Sequence, residues 1–161
     1  MDYSNKLKIL KLSPSKGDFF QGLTHDKIVD IENFINTVLP DDYRNFLQTY
    51  GESAFEEWVH FPYETGGFSL GIFDGDDLIE QIKLYSENRL PKQMIPFNND
   101  GGDNLFILSL RKDTYGKVYY HHHGVGYNEE LEDEDQAKFD TLDFLAPNFT
   151  EFIKGLRKDG E

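Results

Sequence analysis

The spacing of apolar residues along the chain changes once, near Gly51. Before that point it is helical. Ile28, Ile31, Ile35 and Val38 follow Thr24 at steps of three, four and three, which predicts a helix N-capped by Thr24 and broken by Pro40. In "LPDDYRNFLQTYG", Tyr43, Phe46, Leu47 and Tyr50 form a second amphipathic stripe. Asp41 is placed to cap it, Asp42 to favour the positive end of the helix dipole, and Gly51 to end it. A short helix over Tyr3–Leu12 also fits. After Gly51 the apolar runs are short, aromatic or β-branched, and bounded by Gly, Pro, Asn or Asp: "AFEEWVHF", "GGFSLGIF", "QMIPF", "NLFILSL" and "KVYYHHH". The turn-rich "RKDTYG" predicts that Asn104–Leu110 and Lys117–His122 pair as antiparallel strands. Helical spacing returns at Leu78, Ile79, Ile82 and Tyr85, and again at Phe149, Phe152, Ile153 and Leu156, where a helix is expected to close the chain. Helices first, strands in the middle and a helix last predict an α+β fold, with residues 1–161 in one domain and a mostly antiparallel sheet.

Charge narrows the classes of partner. Acidic residues outnumber basic ones 30 to 16 in a chain of 161, a formal charge of −14. Such a surface repels phosphate backbones and attracts a basic protein. With no cysteine, thiolate metal sites and a Cys nucleophile are excluded. The first twenty residues carry no apolar core of signal-peptide length, and no apolar run approaches the ~18 residues of a membrane span. A cytoplasmic location is therefore expected, with no direct contact to nucleic acid or membrane.

Several segments, taken in order, resemble the SUKH superfamily, which includes fungal cell-wall-synthesis regulators tied to killer-toxin resistance and many bacterial immunity proteins. They are Leu39-Pro40 with Tyr43, Phe46 and Leu47; Asn99-Asp100-Gly101-Gly102; Tyr115-Gly116 with Val118 and Tyr119; and Phe149 with Phe152. The resemblance runs from about residue 25 to 156. It implies an antiparallel sheet flanked by helices, no catalytic residue and no cofactor. It also implies a protein partner: a toxin, commonly a nuclease, in the bacterial branch, or host proteins in the fungal one. The chain departs from the family pattern at Gly51-Glu52-Ser53, at Asp103 and at His121-His122.

Four stretches are candidates for chemistry. "NNDGGDN" has no Lys and precedes a strand rather than a helix, so it lacks the parts of a phosphate cradle. Counted from Asp100, its spacing also fails the calcium-loop pattern. A tight structural turn fits it best, and a surface contact through Asp100 and Asp103 comes second. His121 and His123 can share one strand face, which leaves a metal site without its remaining ligands. "GFSLG" around Ser69 matches the nucleophile-elbow string but reads as strand. The acidic run holds Glu129, Glu130, Glu132, Asp133, Glu134 and Asp135. Its plainest reading is a solvated loop or frayed helix, and its functional reading is a patch that meets a basic toxin. Trp58, with Tyr63 near it in sequence, is either core or an interface anchor. The expectation is a non-enzymatic immunity protein without metal or cofactor. The alternative is a cytosolic regulatory module, and a hydrolase using Ser69 ranks third.

Overall fold

The computed structural model describes residues 2–64, 66–87 and 89–161. Among them the helices are α1 (Ser4–Ile9), α2 (His25–Ile35), α3 (Asp41–Thr49), α4 (Leu78–Ser86), α5 (Glu134–Phe139) and α6 (Phe149–Gly155). The strands are β1 (Leu12–Pro14), β2 (Ser53–Phe55), β3 (Val59–Phe61), β4 (Phe68–Ser69), β5 (Ile72–Phe73), β6 (Met94–Asn99), β7 (Leu105–Ser109), β8 (Val118–His121), β9 (Asp143–Ala146) and β10 (Arg157–Lys158). A seven-stranded sheet runs β1-β2-β5-β6-β7-β8-β9, and a three-stranded sheet runs β10-β3-β4. Every strand pairing is antiparallel. The α+β architecture read from the sequence is the observed one. No helix among the described residues is long and apolar enough to cross a membrane.

The helix signals hold, with two corrections. Thr24 Oγ1 accepts from the Lys27 N–H (3.3 Å), as an N-cap should. The helix then stops at Ile35, because Asn36 takes the left-handed conformation (φ 57°) and its N–H returns to the Glu32 carbonyl. Val38 is therefore off the helix and 57% exposed, although its spacing continued the stripe. Glu32 fixes the turn that follows. Its carboxylate accepts from the Leu39 N–H (2.7 Å) and from Arg44 (2.8 Å). Asp41 is the first helical residue of α3 rather than its cap, because Pro40 takes the cap position without a side-chain hydrogen bond. Asp42 caps across space: Oδ2 accepts from the N–H (2.8 Å) and Oγ1 (3.0 Å) of Thr150, tying α3 to the start of α6. Gly51 ends the α3 region at φ +59°, where a Cβ would lie 2.2 Å from the Gln21 carbonyl oxygen.

Strand β7 is a continuous apolar run because both of its faces are covered. Phe106 and Leu108, with Ile95, Phe97, Val118 and Tyr120, join the main cluster under α3 and α6. Leu105 and Ile107, with Met94 and Tyr119, join Tyr85 and Leu90 in a second cluster that Phe139 flanks. Phe46, Phe97, Phe149 and Phe152 meet at the centre, with ring centroids 5.2–5.5 Å apart for Phe46–Phe149, Phe97–Phe149 and Phe97–Phe152. Burying each such ring contributes roughly 1.5–3 kcal/mol.

Two sequence runs are divided in space. "AFEEWVHF" supplies β2 and β3, and "GGFSLGIF" supplies β4 and β5, with one strand of each pair in each sheet. Gly71 makes the second division possible. The Asn98 side chain clamps its backbone, Oδ1 accepting from the N–H (2.9 Å) and Nδ2 donating to the carbonyl (3.1 Å). A Cβ at Gly71 would fall 1.9 Å from the Asn99 carbonyl oxygen. The antiparallel β7–β8 pair forms as read, with Leu108 opposite Val118. Strands β1, β9 and β10 carry no pattern signal, and β10 rather than a helix is the last element.

Candidate partner-binding surface

The two acid-rich stretches lie at opposite ends of the β6–β7 hairpin. Asn99–Asn104 is the hairpin turn itself, since β6 extends past Phe97 to Asn99. Its side chains are spent on its own backbone and on neighbouring side chains. Asn99 Oδ1 accepts from the Gly101 N–H (2.6 Å), and Asp100 Oδ1 accepts from the Gly102 N–H (2.8 Å) and the Asn104 N–H (3.3 Å). Asp100 Oδ2 accepts from Asn104 Nδ2 (2.8 Å) and the Tyr120 hydroxyl (3.2 Å). Gly101 (φ 90°) and Asp103 (φ 65°) supply the left-handed backbone. Asp103 Oδ1 takes the Tyr85 hydroxyl (3.0 Å), and its carbonyl takes Arg89 (2.7 Å). Of the two loop acids proposed as contacts, Asp100 has both oxygens engaged, whereas Asp103 is exposed with Oδ1 held by Tyr85.

The opposite end holds the acidic run, which is half anchored. Asp133 N-caps α5 by accepting from the Gln136 N–H (3.1 Å). Asp135 pairs with Arg111 (2.7 Å) and accepts from the Lys92 N–H (2.6 Å), docking α5 where β6 starts and β7 ends. Arg111 in turn lies 4.9 Å from the Phe139 ring centroid. Glu134 contacts Lys138 (3.2 Å) and the Tyr127 hydroxyl (3.0 Å), which hold its carboxyl below the usual range. Glu129, Glu130 and Glu132 are exposed, and no side-chain hydrogen bond or ion pair engages their carboxylates among the described residues. The run borders a cleft of about 740 Å³ between the end of α4 and the start of α5, lined by Ser86, Glu87, Leu90, Lys92, Glu132–Asp135 and Lys138.

A profile of the SMI1 / KNR4 family (SUKH-1) matches residues 22–155, most of the chain. The chain belongs to this family. It is also 24% identical over 156 residues to the SPbeta prophage-derived uncharacterized protein YokK of Bacillus subtilis (strain 168), covering 83% of this chain and 74% of that protein. The segments that carried the SUKH resemblance all fall inside the matched span, and the structure shows what each does. The Leu-Pro-x-x-Tyr segment starts α3, the Asn-Asp-Gly-Gly segment closes the β6–β7 turn, and the Phe-x-x-Phe segment builds the core face of α6. The Tyr115 hydroxyl donates to the Val38 carbonyl and so pins the α2–α3 connection. In this SUKH-1 chain the family motifs do structural work, and the surface of the acidic run lies outside them.

The other candidates separate from both acidic ends. Trp58 is not core: it is 72% exposed, on a shallow groove shared with Phe55, Leu70, Gly71 and Ile72. Glu57 beside it is matched by Lys11 (2.8 Å) and Lys158 (3.2 Å). Gly71 connects this groove to Asp100, whose Cα would be 3.2 Å from a Cβ there. Trp58 thus shares the turn's end of the molecule rather than the acidic run's. Tyr63 is partly buried and donates to Asp143 Oδ1 (3.2 Å). Ser69 ends β4 and is followed by β5, so the strand–turn–helix of a nucleophile elbow is absent. His60 faces Ser69 in register and pairs with Asp159 (2.7 Å), but no hydrogen bond joins His60 to Ser69 among the described residues.

The three histidines go to different places. His121 is 6% exposed, with Nδ1 3.2 Å from Arg89, and burial followed by the Arg89 charge pushes it down to about 4. His122 meets Asp143 (2.7 Å), and the His123 N–H donates to Asn104 Oδ1 (2.7 Å). No group of three or more His, Asp or Glu among the described residues is arranged to hold a metal ion. The sequence reading missed Asp74. It is 8% exposed, and burial, then Asp77 and Glu52, push it up to about 7. Its charge is also felt at Tyr43, whose hydroxyl is buried without a hydrogen-bond partner. No local pattern marks Asp74, because the groups around it come from three separate parts of the chain.

Proposed function

We propose that this chain is an immunity protein that binds a cognate toxin domain, a basic nuclease above all, and neutralises it by charge and shape complementarity. The reading requires no catalytic group of its own. Membership in the SUKH-1 family supports it. The observation that carries it is the exposed row Glu129, Glu130 and Glu132, whose last member lines the cleft between α4 and α5. A nuclease must present Lys and Arg to hold phosphates. Carboxylates on a rigid mount compete for those cations, and the −14 charge of the chain steers the encounter. Asp133 and Asp135 supply the mount, since they cap and dock α5, the helix that directly follows these three residues.

The test is association with any toxin domain found encoded beside the gene, measured by stopped flow across a salt series. Glu129→Lys, Glu130→Lys and Glu132→Lys together are expected to slow association about tenfold or more at low salt and to flatten its salt dependence. Unchanged kinetics would remove the run from the mechanism. Recovery of host proteins rather than a toxin in a pull-down would favour the regulatory role known from the fungal branch.

A further inference from the structure

An apolar groove opens beside the acidic cleft. It occupies about 260 Å³ between α2, α4 and the start of β6, and is lined by Phe34, Ile35, Ile82, Met94, Ile95 and Leu110 among others. Ser86 and Glu87 line both the groove and the acidic cleft, so the two adjoin. Phe34 stands at the rim 45% exposed, with the Lys83 ammonium 5.5 Å from its ring centroid. The volume lies below the ~300–1,000 Å³ of a small-molecule pocket and suits one large side chain.

We propose that this groove takes a single bulky apolar side chain of the protein partner, presented between Lys or Arg residues that face the neighbouring acids. The proposal rests on the partner-binding reading above and specifies the chemistry of its contact. Charge decides the flanks. The walls beyond Ser86 carry Glu87, Glu132 and the capping Asp133 against Lys92, with Asp135 matched by Arg111 and, on the groove's own lining, Lys83 facing Glu80 (3.7 Å). Lys138 and Glu134 match each other and drop out of the balance. A basic flank is attracted there and an acidic one repelled. The apolar floor supplies what charge alone lacks: a desolvated anchor of the kind that dominates interface energetics, set beside a polar rim. The groove is already shaped, because Ile82, Met94, Ile95 and Leu110 are buried core residues, so filling it orders little further chain.

Two peptides of equal charge isolate the anchor: acetyl-Lys-Lys-Phe-Lys-Lys-amide and its counterpart with Ser in place of Phe. Each is titrated into the isotopically labelled protein and followed by amide NMR. The Phe peptide is expected to bind about tenfold tighter, with its additional shifts at Ser86, Glu87, Gln93 and Leu110. Ser86→Trp, which fills the junction of the two clefts, is expected to erase the difference and spare the affinity of the Ser peptide. Phe34→Ala at the exposed rim gives a second measurement, a reduced preference without a plugged groove. Equal affinity of the two peptides, or Phe-dependent shifts elsewhere on the protein, overturns the proposal. A groove that prefers Phe while the charge-reversed triple variant still neutralises toxin refutes the acidic-run mechanism and keeps the groove. No preference, with neutralisation lost in that variant, does the reverse.

Discussion

Asn99–Asn104 and Glu129–Asp135 are the two stretches of this chain richest in short polar and acidic side chains, and they cap opposite ends of one hairpin. In the first, both carboxylates are engaged, Asp100 through both oxygens and the exposed Asp103 through Oδ1. Asp100 alone accepts from two backbone N–H groups, an amide and a phenol. In the second, the run divides: Asp133, Glu134 and Asp135 are engaged, while Glu129, Glu130 and Glu132 project into solvent. Composition does not separate these fates. The supply of donors does. The tight turn brings the Gly102 and Asn104 N–H groups within reach of Asp100, whereas no donor among the described residues reaches the carboxylates of Glu129, Glu130 and Glu132. Acids that serve the fold are those whose oxygens are filled, and acids open to a partner are those whose oxygens are not.

The largest expected effect follows from emptying the filled end. Asp100→Ala removes four accepted hydrogen bonds, two of which link the turn to Asn104 and Tyr120 side chains. A loss of about 3–4 kcal/mol is expected, read as a lowered denaturant midpoint with an unchanged slope. A loss below about 1 kcal/mol would mean that water replaces the carboxylate readily, and the contrast between the two ends would fail.

The same end carries a pH signature. Arg89 donates to the Asp103 carbonyl and lies beside buried His121, so the imidazole stays neutral in the folded protein down to about 4. In the unfolded chain it takes a proton near its ordinary 6.5. The depressed value therefore contributes stability that is complete above pH 6.5 and lost as pH falls toward 4, levelling off below. The gap between about 4 and the ordinary 6.5 corresponds to about 3 kcal/mol. Subtracting the stability profile of His121→Asn from that of the native protein isolates this contribution among the many titrating acids. A difference that does not vary with pH between 4 and 6.5 would show that His121 is not buried neutral.

What the sequence made legible follows the same division between local and distant causes. Period and capping read α2, α3 and the core of α6 because their signals lie within a turn or two of the residues they govern, as Thr24 and Gly51 do. The β7–β8 pair was legible because one short turn joins two apolar runs. Val38 misled because left-handed Asn36 ends the helix while the apolar spacing continues. "AFEEWVHF" and "GGFSLGIF" read as single strands because the clamp that divides the second at Gly71 comes from Asn98, 27 residues away. β1 was invisible because its three residues, one of them Pro14, are strand only through pairing with Ser53–Phe55. At the candidate surface, composition located the acidic run. It could not say that Asp135 belongs to Arg111, 24 residues distant, or that Trp58 stands at the other end of the sheet.

The smallest effects test the division inside the acidic run. Asp135→Ala leaves Arg111 without its closest carboxylate and frees the Lys92 N–H, so about 1–2 kcal/mol of stability should be lost; both side chains are only partly exposed. Glu129→Gln, Glu130→Gln and Glu132→Gln together should change stability by no more than about 0.5 kcal/mol, because no fold contact of their carboxylates is removed. Removing three negative charges from a chain at −14 should relieve slight self-repulsion, so any shift should be toward greater stability and should fade with salt. Thermal unfolding at two ionic strengths reads both variants. If the triple variant is destabilised as much as Asp135→Ala, the open half of the run is structural after all. Its place as a contact surface would then pass to the groove floor beside it, where the affinity difference between the two peptides would persist without the charges.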